Sequence, residues 1–426
     1  MEATKKTPEQ VQNKQDQTGK KSKGKTALKV IAVILAVLPV LVGILAAVNA
    51  VGIASNRSFI HSLSAVEYEN QLQPVKDEAG RYTFVTDGDF KILQLTDIHI
   101  GGGFMSIRKD NLALNAVAAM ITAEKPDLVI VTGDITYPVP VQAGTFNNKE
   151  NAKLFADLME QLGVYWAPVF GNHDSEDYSY FSRETIGALY ESDNYPHCMF
   201  QAGDETVDGV GNYCINVQNA KGEITQSLFL LDSNAYIGGA LAGLTWNYDC
   251  IHENQVDWYE QELSRITAQN GGVQPKSLAF FHMPLQEMQT AYYEYRDNGF
   301  QDTENVQYKF GEAGERDIVI YPSAENYGFF DRVMQLGSTQ GIFFGHDHLN
   351  NISLEYQGVR LTYGYTVDYL AYTGIMKYGA QRGCTVITVS PDGRFDCWHE
   401  NYYQDKYSPV QEKETVRMDA YYAETE

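Results

Sequence analysis

The chain carries one long unbroken apolar run and then a series of short ones. Val30 to Val48 is nineteen residues without a charge. At 1.5 Å per residue a helix of that length covers about 29 Å, close to the thickness of bilayer hydrocarbon. It is apolar on all sides, so a buried core helix fits it poorly. Pro39 and Gly43 are tolerable in a membrane helix. The short runs read as buried strands: Ile92–Leu95, Leu128–Val131, the looser Trp166–Phe170, Leu278–Phe281 and Ile342–Phe344. Between them the spacing turns helical. Leu112, Leu114, Val117, Met120 and Ile121 predict a helix over 111–124 that ends at Lys125-Pro126. Leu154, Phe155, Leu158, Met159 and Leu162 predict another over 150–162, stopped by Gly163. A third is expected over 254–268. Beyond residue 348 come strand signals, such as 359–363 and 385–389, with few for helix. Alternating strand and helix implies βαβ units, and two sheets packed face to face with helices outside fit this α/β layout.

Charge orders the ends of the chain. Residues 1–29 hold eight lysines against three acids and almost no large apolar side chain, the composition of a disordered tail. Lysines before the span and an acidic remainder after it place the N-terminus in the cytoplasm and the rest outside. The whole chain carries −23, and without the tail it is more acidic still. No basic stripe is present to track a phosphate backbone, so nucleic acid is not an expected partner. The expected division is a basic tail at 1–29, a transmembrane helix or signal anchor at 30–50, a linker at 51–88 with a short hairpin near 82–85, one large domain at 89–405, and a charged tail at 406–426. A retained anchor is expected; the small residues Val48-Asn49-Ala50 also suit cleavage after Ala50, which would release a secreted form. Five cysteines show no metal pattern; Cys384 and Cys397 stand where a pair across two C-terminal strands is conceivable.

The chemistry sits in five polar clusters, each just past a strand-like run: Asp97-Ile98-His99, Gly133-Asp134, Gly171-Asn172-His173-Asp174, His282, and Gly345-His346-Asp347-His348. They hold five of the nine histidines. Donor side chains at the exit ends of strands are the layout of a site in an α/β sheet. Asp97, His99, Asp134, Asn172, His282, His346 and His348 make seven oxygen and imidazole donors, too many for one tetrahedral ion. Two ions sharing a carboxylate would use them, and Asp134, alone after a glycine, is the natural bridge. Imidazole and carboxylate without thiolate favour Mn, Fe or Zn.

In this order the clusters resemble the five blocks of the calcineurin-like metallophosphoesterases, over roughly residues 88–400. Gly209-Val210-Gly211-Asn212-Tyr213, Leu231-Asp232-Ser233, Phe281-His282-Met283-Pro284-Leu285 and Glu325-Asn326-Tyr327-Gly328-Phe329-Phe330 are similar to the branch around plant purple acid phosphatase 29 and its fungal relatives. The resemblance implies a four-layered α-β-β-α sandwich. It implies one ion on Asp97, His99, Asp134 and His348, and a second on Asp134, Asn172, His282 and His346. A hydroxide between the ions would attack phosphorus, with His173 protonating the leaving oxygen or stabilising charge and, together with Asn172, facing the phosphate. Asp174 is expected to orient His173 or a neighbouring loop. Arg316 is a further candidate for the substrate phosphate, against its reading as part of a solvated loop. One departure concerns Tyr137. In purple acid phosphatases a tyrosine at this place ligates ferric iron, but there the first block lacks the histidine that His99 supplies here. Tyr137 is therefore expected beside the ions rather than on one. In the protein serine/threonine phosphatases an aspartate at this place supports the catalytic histidine, and that dyad is missing.

The function expected is metal-dependent hydrolysis of phosphate monoesters, on small molecules or proteins, outside the cytoplasm. Two alternatives stay open: a phosphodiesterase on nucleotides or lipid head groups, and a non-catalytic surface protein of the same fold. His61, His197, His252 and His399 are expected to be structural or surface residues. The tyrosine clusters at 178–181 and 292–295 are expected to pack at the surface or line a cleft.

Overall fold

The structure, a computed structural model, describes residues 8–77, 80–238, 247–315, 319–371 and 382–408. It begins with helix α1 (Pro8–His61). This is the one helix among the described residues long and apolar enough to cross a membrane, with a mean hydropathy of 3.0 over its apolar window and none of that window buried. The chain forms two compact units, one up to Val51 and one from Gly52 onward.

The second unit is built from strands β1 (Val75–Lys76), β2 (Tyr82–Val85), β3 (Phe90–Leu95), β4 (Leu128–Thr132), β5 (Trp166–Val169), β6 (Tyr213–Gln218), β7 (Ile224–Leu230), β8 (Lys276–Phe280), β9 (Val306–Phe310), β10 (Thr339–Phe344), β11 (Ser353–Tyr356), β12 (Val359–Tyr363), β13 (Gly383–Val389) and β14 (Phe395–Asn401). They form a nine-stranded sheet, ordered β1-β2-β6-β7-β8-β10-β12-β11-β9, and a five-stranded one, ordered β14-β13-β3-β4-β5. The centre of each is parallel: β3, β4 and β5 in the small sheet, β7, β8, β10 and β12 in the large one.

The two-residue period of the strands assigns the layers. On the large sheet Leu228, Leu230, Leu278, Phe280 and Phe343 join the core shared with the small sheet. Their neighbours Phe229, Ala279, Phe281, Ile342 and Phe344 face the other way, into a second core. That second core is closed by helices α5 (Glu253–Gln269), α6 (Gln286–Asp297) and α7 (Phe329–Leu336). The shared core is closed by α2 (Ile107–Glu124) and α3 (Asn148–Leu162), with α4 (Arg183–Tyr190) beside α3. Helix, sheet, sheet, helix is the sandwich expected. Between the sheets Phe343 meets Phe395, ring centroids 6.0 Å apart. A Cβ on Gly341 would lie 2.7 Å from the Phe395 ring, so the glycine lets the sheets close.

Helix α3 shows the local logic. The Asn147 side chain accepts from the Glu150 amide at its start, and Gly163 ends it with φ 68°. Leu154, Phe155, Leu158, Met159 and Leu162 are all buried, each worth about 1.5–3 kcal/mol.

Four stretches depart from the reading of the sequence. The segment expected as a linker carries the last turns of α1, through His61, while the hairpin expected near 82–85 is present as β2, paired antiparallel with β1. Ile60 and Asn56 are buried in the second unit, and Arg57 pairs with Glu150 and Asp157. Helical structure also begins at Pro8, inside the stretch read as a disordered tail. At the other end Tyr407 is buried and its hydroxyl donates to Glu124, so the domain runs past 405. Cys384 stands opposite Glu400 and Cys397 opposite Ile387, so the two thiols do not meet; all five cysteines are free.

Candidate metal centre

Each donor leaves the C-terminal end of a parallel strand. Asp97 follows β3, Asp134 follows β4, Asn172 follows β5, His282 follows β8 and His346 follows β10. The small sheet therefore contributes the first three clusters and the large sheet the last two. The backbone turns hard at these exits: Asp97, His99, Asp134 and His346 have φ of 50°, 54°, 53° and 77°. Four non-glycine residues in the left-handed region, each costing about 1–3 kcal/mol, mark a place where the surroundings hold strain. The glycines explain how the loops come so close. A Cβ at Gly345 would lie 1.9 Å from Thr96 Oγ1 and 2.6 Å from Asp97 Oδ2. At Gly171 it would lie 2.2 Å from Asp134 Oδ1.

The seven predicted donors converge. Asp97, His99, Asp134 and His348 each offer an atom within 4.8 Å of all the others. Asp134 Oδ2 stands 3.4 Å from His99 Nε2 and 3.2 Å from His282 Nε2, so one oxygen faces both halves of the site. On the second half, Asn172 Oδ1 lies 3.2 Å from both His282 Nε2 and His346 Nδ1. On the first, His348 Nε2 is 3.4 Å from Asp97 Oδ1. Two ligand atoms each about 2.1 Å from a common ion lie about 3.0–3.4 Å apart at octahedral or tetrahedral angles, the spacing found here.

The electrostatics agree with a cation site. Burial opposes charge on every member, yet Asp134 is held well below the usual carboxylate range by the charges of His282 and His173. His282 is raised to about 9: burial pulls it down, but the charge of Asp134 and its hydrogen bond outweigh that. His99 is raised well above its ordinary value, the Asp368 and Asp134 carboxylates overcoming burial. Asp97 Oδ1 is buried and accepts no hydrogen bond, an open oxygen of the kind a bound ion satisfies. The donors thus fit divalent metal ions.

The sequence pattern of the calcineurin-like phosphoesterases matches residues 90–350. The chain belongs to that family. Among proteins it is similar to are two from Arabidopsis thaliana. One is named "Probable inactive purple acid phosphatase 29", 28% identical over 75% of this chain and 82% of its own length. The other is "Probable inactive purple acid phosphatase 14", 29% identical over 68% of this chain and 73% of its own. A phosphatase of Saccharomyces cerevisiae, DCR2, is 28% identical over half of this chain and 38% of its own. A solved dimetal phosphatase from Danio rerio aligns with 75% of the chain and 98% of its own at 14% identity and a TM-score of 0.47. The calcineurin-like blocks in this chain keep a polar atom at every donor position.

Around the donors stand residues that the motifs did not reveal. Asp368 presents Oδ1 to His99 Nδ1 at 3.3 Å and Oδ2 to His348 Nδ1 at 3.8 Å, the carboxylate-behind-histidine arrangement that orients imidazole ligands. It follows β12 in a stretch of no recognisable pattern. His282 Nδ1 lies 2.8 Å from Thr132 O, which directs Nε2 inward. Asp174 does not touch His173. Fully buried, it accepts from the amides of Asp134, Thr136 and Gly171 at 3.0, 2.9 and 2.8 Å, tying the second block to the third. Of its two expected roles it fills the structural one, and it has no access to a substrate. The carboxylate on His173 is Glu176, whose Oε1 is 2.7 Å from Nδ1. The Tyr137 ring packs edge-on against His99 and His173, and its hydroxyl donates to Gln142. Burial and the charges of Asp368 and Asp134 raise its pKa. Arg316 lies outside the described residues. His197, His252 and His399 pair with Glu160, with Asp208 and Asp249, and with the Tyr363 carbonyl. Tyr292 and Tyr295 are buried in the core under α6.

Proposed function

We propose that this protein is a dinuclear-metal phosphatase that hydrolyses phosphate monoesters outside the cytoplasm, held to the membrane by α1. The observation that carries the reading is Asp134 Oδ2, placed within 3.4 Å of a histidine nitrogen from each half of the donor set. Asp97, His99, Asp134 and His348 would hold one ion, and Asp134, Asn172, His282 and His346 the other. Mn, Fe and Zn suit this ligand chemistry. Ions held there would supply the Lewis acidity that makes water nucleophilic at neutral pH and neutralises phosphate oxygens.

The chain's own residues do the rest. Asn172 and His173 face the phosphate. With Nδ1 donating to a carboxylate, which only accepts, His173 acts as imidazolium: it keeps the Nδ1 proton and gives its second proton, on Nε2, to the leaving oxygen, returning to the neutral Nδ1–H ring. The monoester preference rests on relatives named phosphatases, and Arg316 remains a proposed phosphate contact. The lysines ahead of the span support a cytoplasmic N-terminus.

The plant relatives are named inactive, so a non-catalytic reading must be tested directly. Purified full-length protein is assayed for metal by elemental analysis and for turnover of p-nitrophenyl phosphate and bis-p-nitrophenyl phosphate, with and without chelator. Two ions per chain and chelator-sensitive monoester turnover support the proposal. Preferred diester turnover points to the phosphodiesterase reading; bound metal without turnover of either refutes catalysis. In the same assay His173→Ala keeps both ions and loses roughly 10²–10⁴-fold in kcat; loss of metal would make His173 a ligand instead.

A further inference from the structure

We propose that Glu176 is the positioning residue for His173, replacing the aspartate that is missing at Tyr137, and that Tyr236 couples it to the second metal half-site. The inference rests on the phosphatase reading above and goes beyond it in naming what sets the proton donor. Glu176 sits three residues past His173, at the end of a single 3₁₀ turn (His173–Ser175), and is only 9% exposed. Its Oε1 takes two partners: His173 Nδ1 at 2.7 Å and the Tyr236 hydroxyl at 2.9 Å. A carboxylate has only lone pairs to offer, so both partners must donate. That choice propagates. The Tyr236 hydroxyl, its proton spent on Glu176, must accept from its other neighbour, Asn172 Nδ2, at 2.8 Å. The Asn172 amide is then fixed with Oδ1 toward His282 and His346.

One carboxylate therefore sets two orientations. It holds the Nδ1 proton of His173, so that the proton the imidazolium gives up to the leaving group is the one on Nε2, and through a single tyrosine it turns the Asn172 oxygen toward the metal half-site. Glu176 touches neither substrate nor ions and acts through other side chains. The geometry is local to the turn, which explains how the site does without a carboxylate three residues past Asp134.

The test compares two substrates in the metal-loaded full-length protein: phenyl phosphate, whose leaving oxygen needs a proton, and 2,4-dinitrophenyl phosphate, whose leaving oxygen does not. Glu176→Gln is expected to lower kcat on phenyl phosphate by roughly 10–100-fold, with KM within about threefold, and on the dinitrophenyl ester by less than about threefold. Bound metal stays at the wild-type level. In a His173→Asn background, Glu176→Gln should add nothing further. Independently of turnover, ¹⁵N NMR of the histidine-labelled full chain should show the neutral His173 ring protonated at Nδ1, the resonance being assigned by its loss in His173→Asn. Equal losses on both substrates would make Glu176 merely structural and overturn the proposal. Additive effects in the double variant, or a wild-type ring protonated at Nε2, would do the same. If the loaded wild type turns over no phosphoester, the phosphatase reading fails, and the NMR result still decides whether Glu176 holds His173.

Discussion

Gly171→Ala isolates one steric contact at the centre of the site. The residue precedes Asn172, and its φ lies outside the left-handed region, so alanine costs nothing in backbone conformation. The added methyl would stand 2.2 Å from Asp134 Oδ1 and 2.5 Å from Asp134 N. Ordinary contact needs about 3.4 Å, so the two loops must part by about 1 Å. They are bolted together by Asp174, which accepts from Gly171 N at 2.8 Å and from Asp134 N at 3.0 Å. Separation costs at least one of those buried bonds, about 1–3 kcal/mol, and shifts the shared carboxylate. A displacement of that size in a reacting geometry costs roughly 10²-fold in rate. Elemental analysis and steady-state kinetics on the full-length variant measure both effects. The control is Gly88→Ala, where the nearest atom to a new Cβ is Thr86 Oγ1 at 3.6 Å. Wild-type metal content and kcat in Gly171→Ala would refute the close packing of the second and third blocks.

Other perturbations read different parts of the design. Asp134→Asn removes the charge that faces both half-sites, and metal should fall from two ions to fewer than one per chain by elemental analysis; two ions at normal affinity would refute the bridge. Tyr137→Phe loses one hydrogen bond to Gln142 and should stay within about fivefold of wild-type kcat; a visible charge-transfer band that disappears in this variant would instead make the phenol a ligand. Asp110 is raised to about 6, burial outweighing its bonds from Gly101, Ser106, Gly102 and Asn56. A carboxyl raised on folding stabilises below its unfolded pKa and loses that contribution as pH rises through the folded value. The stability of wild type relative to Asp110→Asn should therefore fall by about 2 kcal/mol between pH 4 and 6.5 in denaturant melts; an increase would contradict the sign.

The parts legible in the sequence were those with strong periodicity or paired polar residues. The runs at 128–131 and 342–344 are nearly continuous apolar stretches because their strands are buried on both faces. The helices at 111–124 and 254–268 were displaced by only a few residues. The donors stood out because each follows a strand and most adjoin a glycine. What the chain conceals is the support around them. Asp368 lies far from the histidines in sequence, and only the strand order brings it behind His99 and His348. Glu176 sits one turn past the third block and looks like a surface acid until Tyr236 closes over it. Helix α6 was hidden by its tyrosines, which break the aliphatic pattern but bury Tyr292 and Tyr295 all the same. The final turns of α1 fall in the stretch expected to be a linker, yet their polar Asn56 and Arg57 find Asp110, Glu150 and Asp157.

Those last turns have a practical consequence for anyone trimming the N-terminal helix. Asn56 helps close the pocket around Asp110, whose oxygens hold the amides of Gly101 and Gly102, two and three residues past His99. A soluble fragment trimmed to the first strand of the small sheet would lose this brace and loosen the loop that leaves the first block. One that starts at Val51 would retain it, so the boundary that keeps the brace lies within α1, ahead of Asn56, rather than at the edge of the recognisable motif.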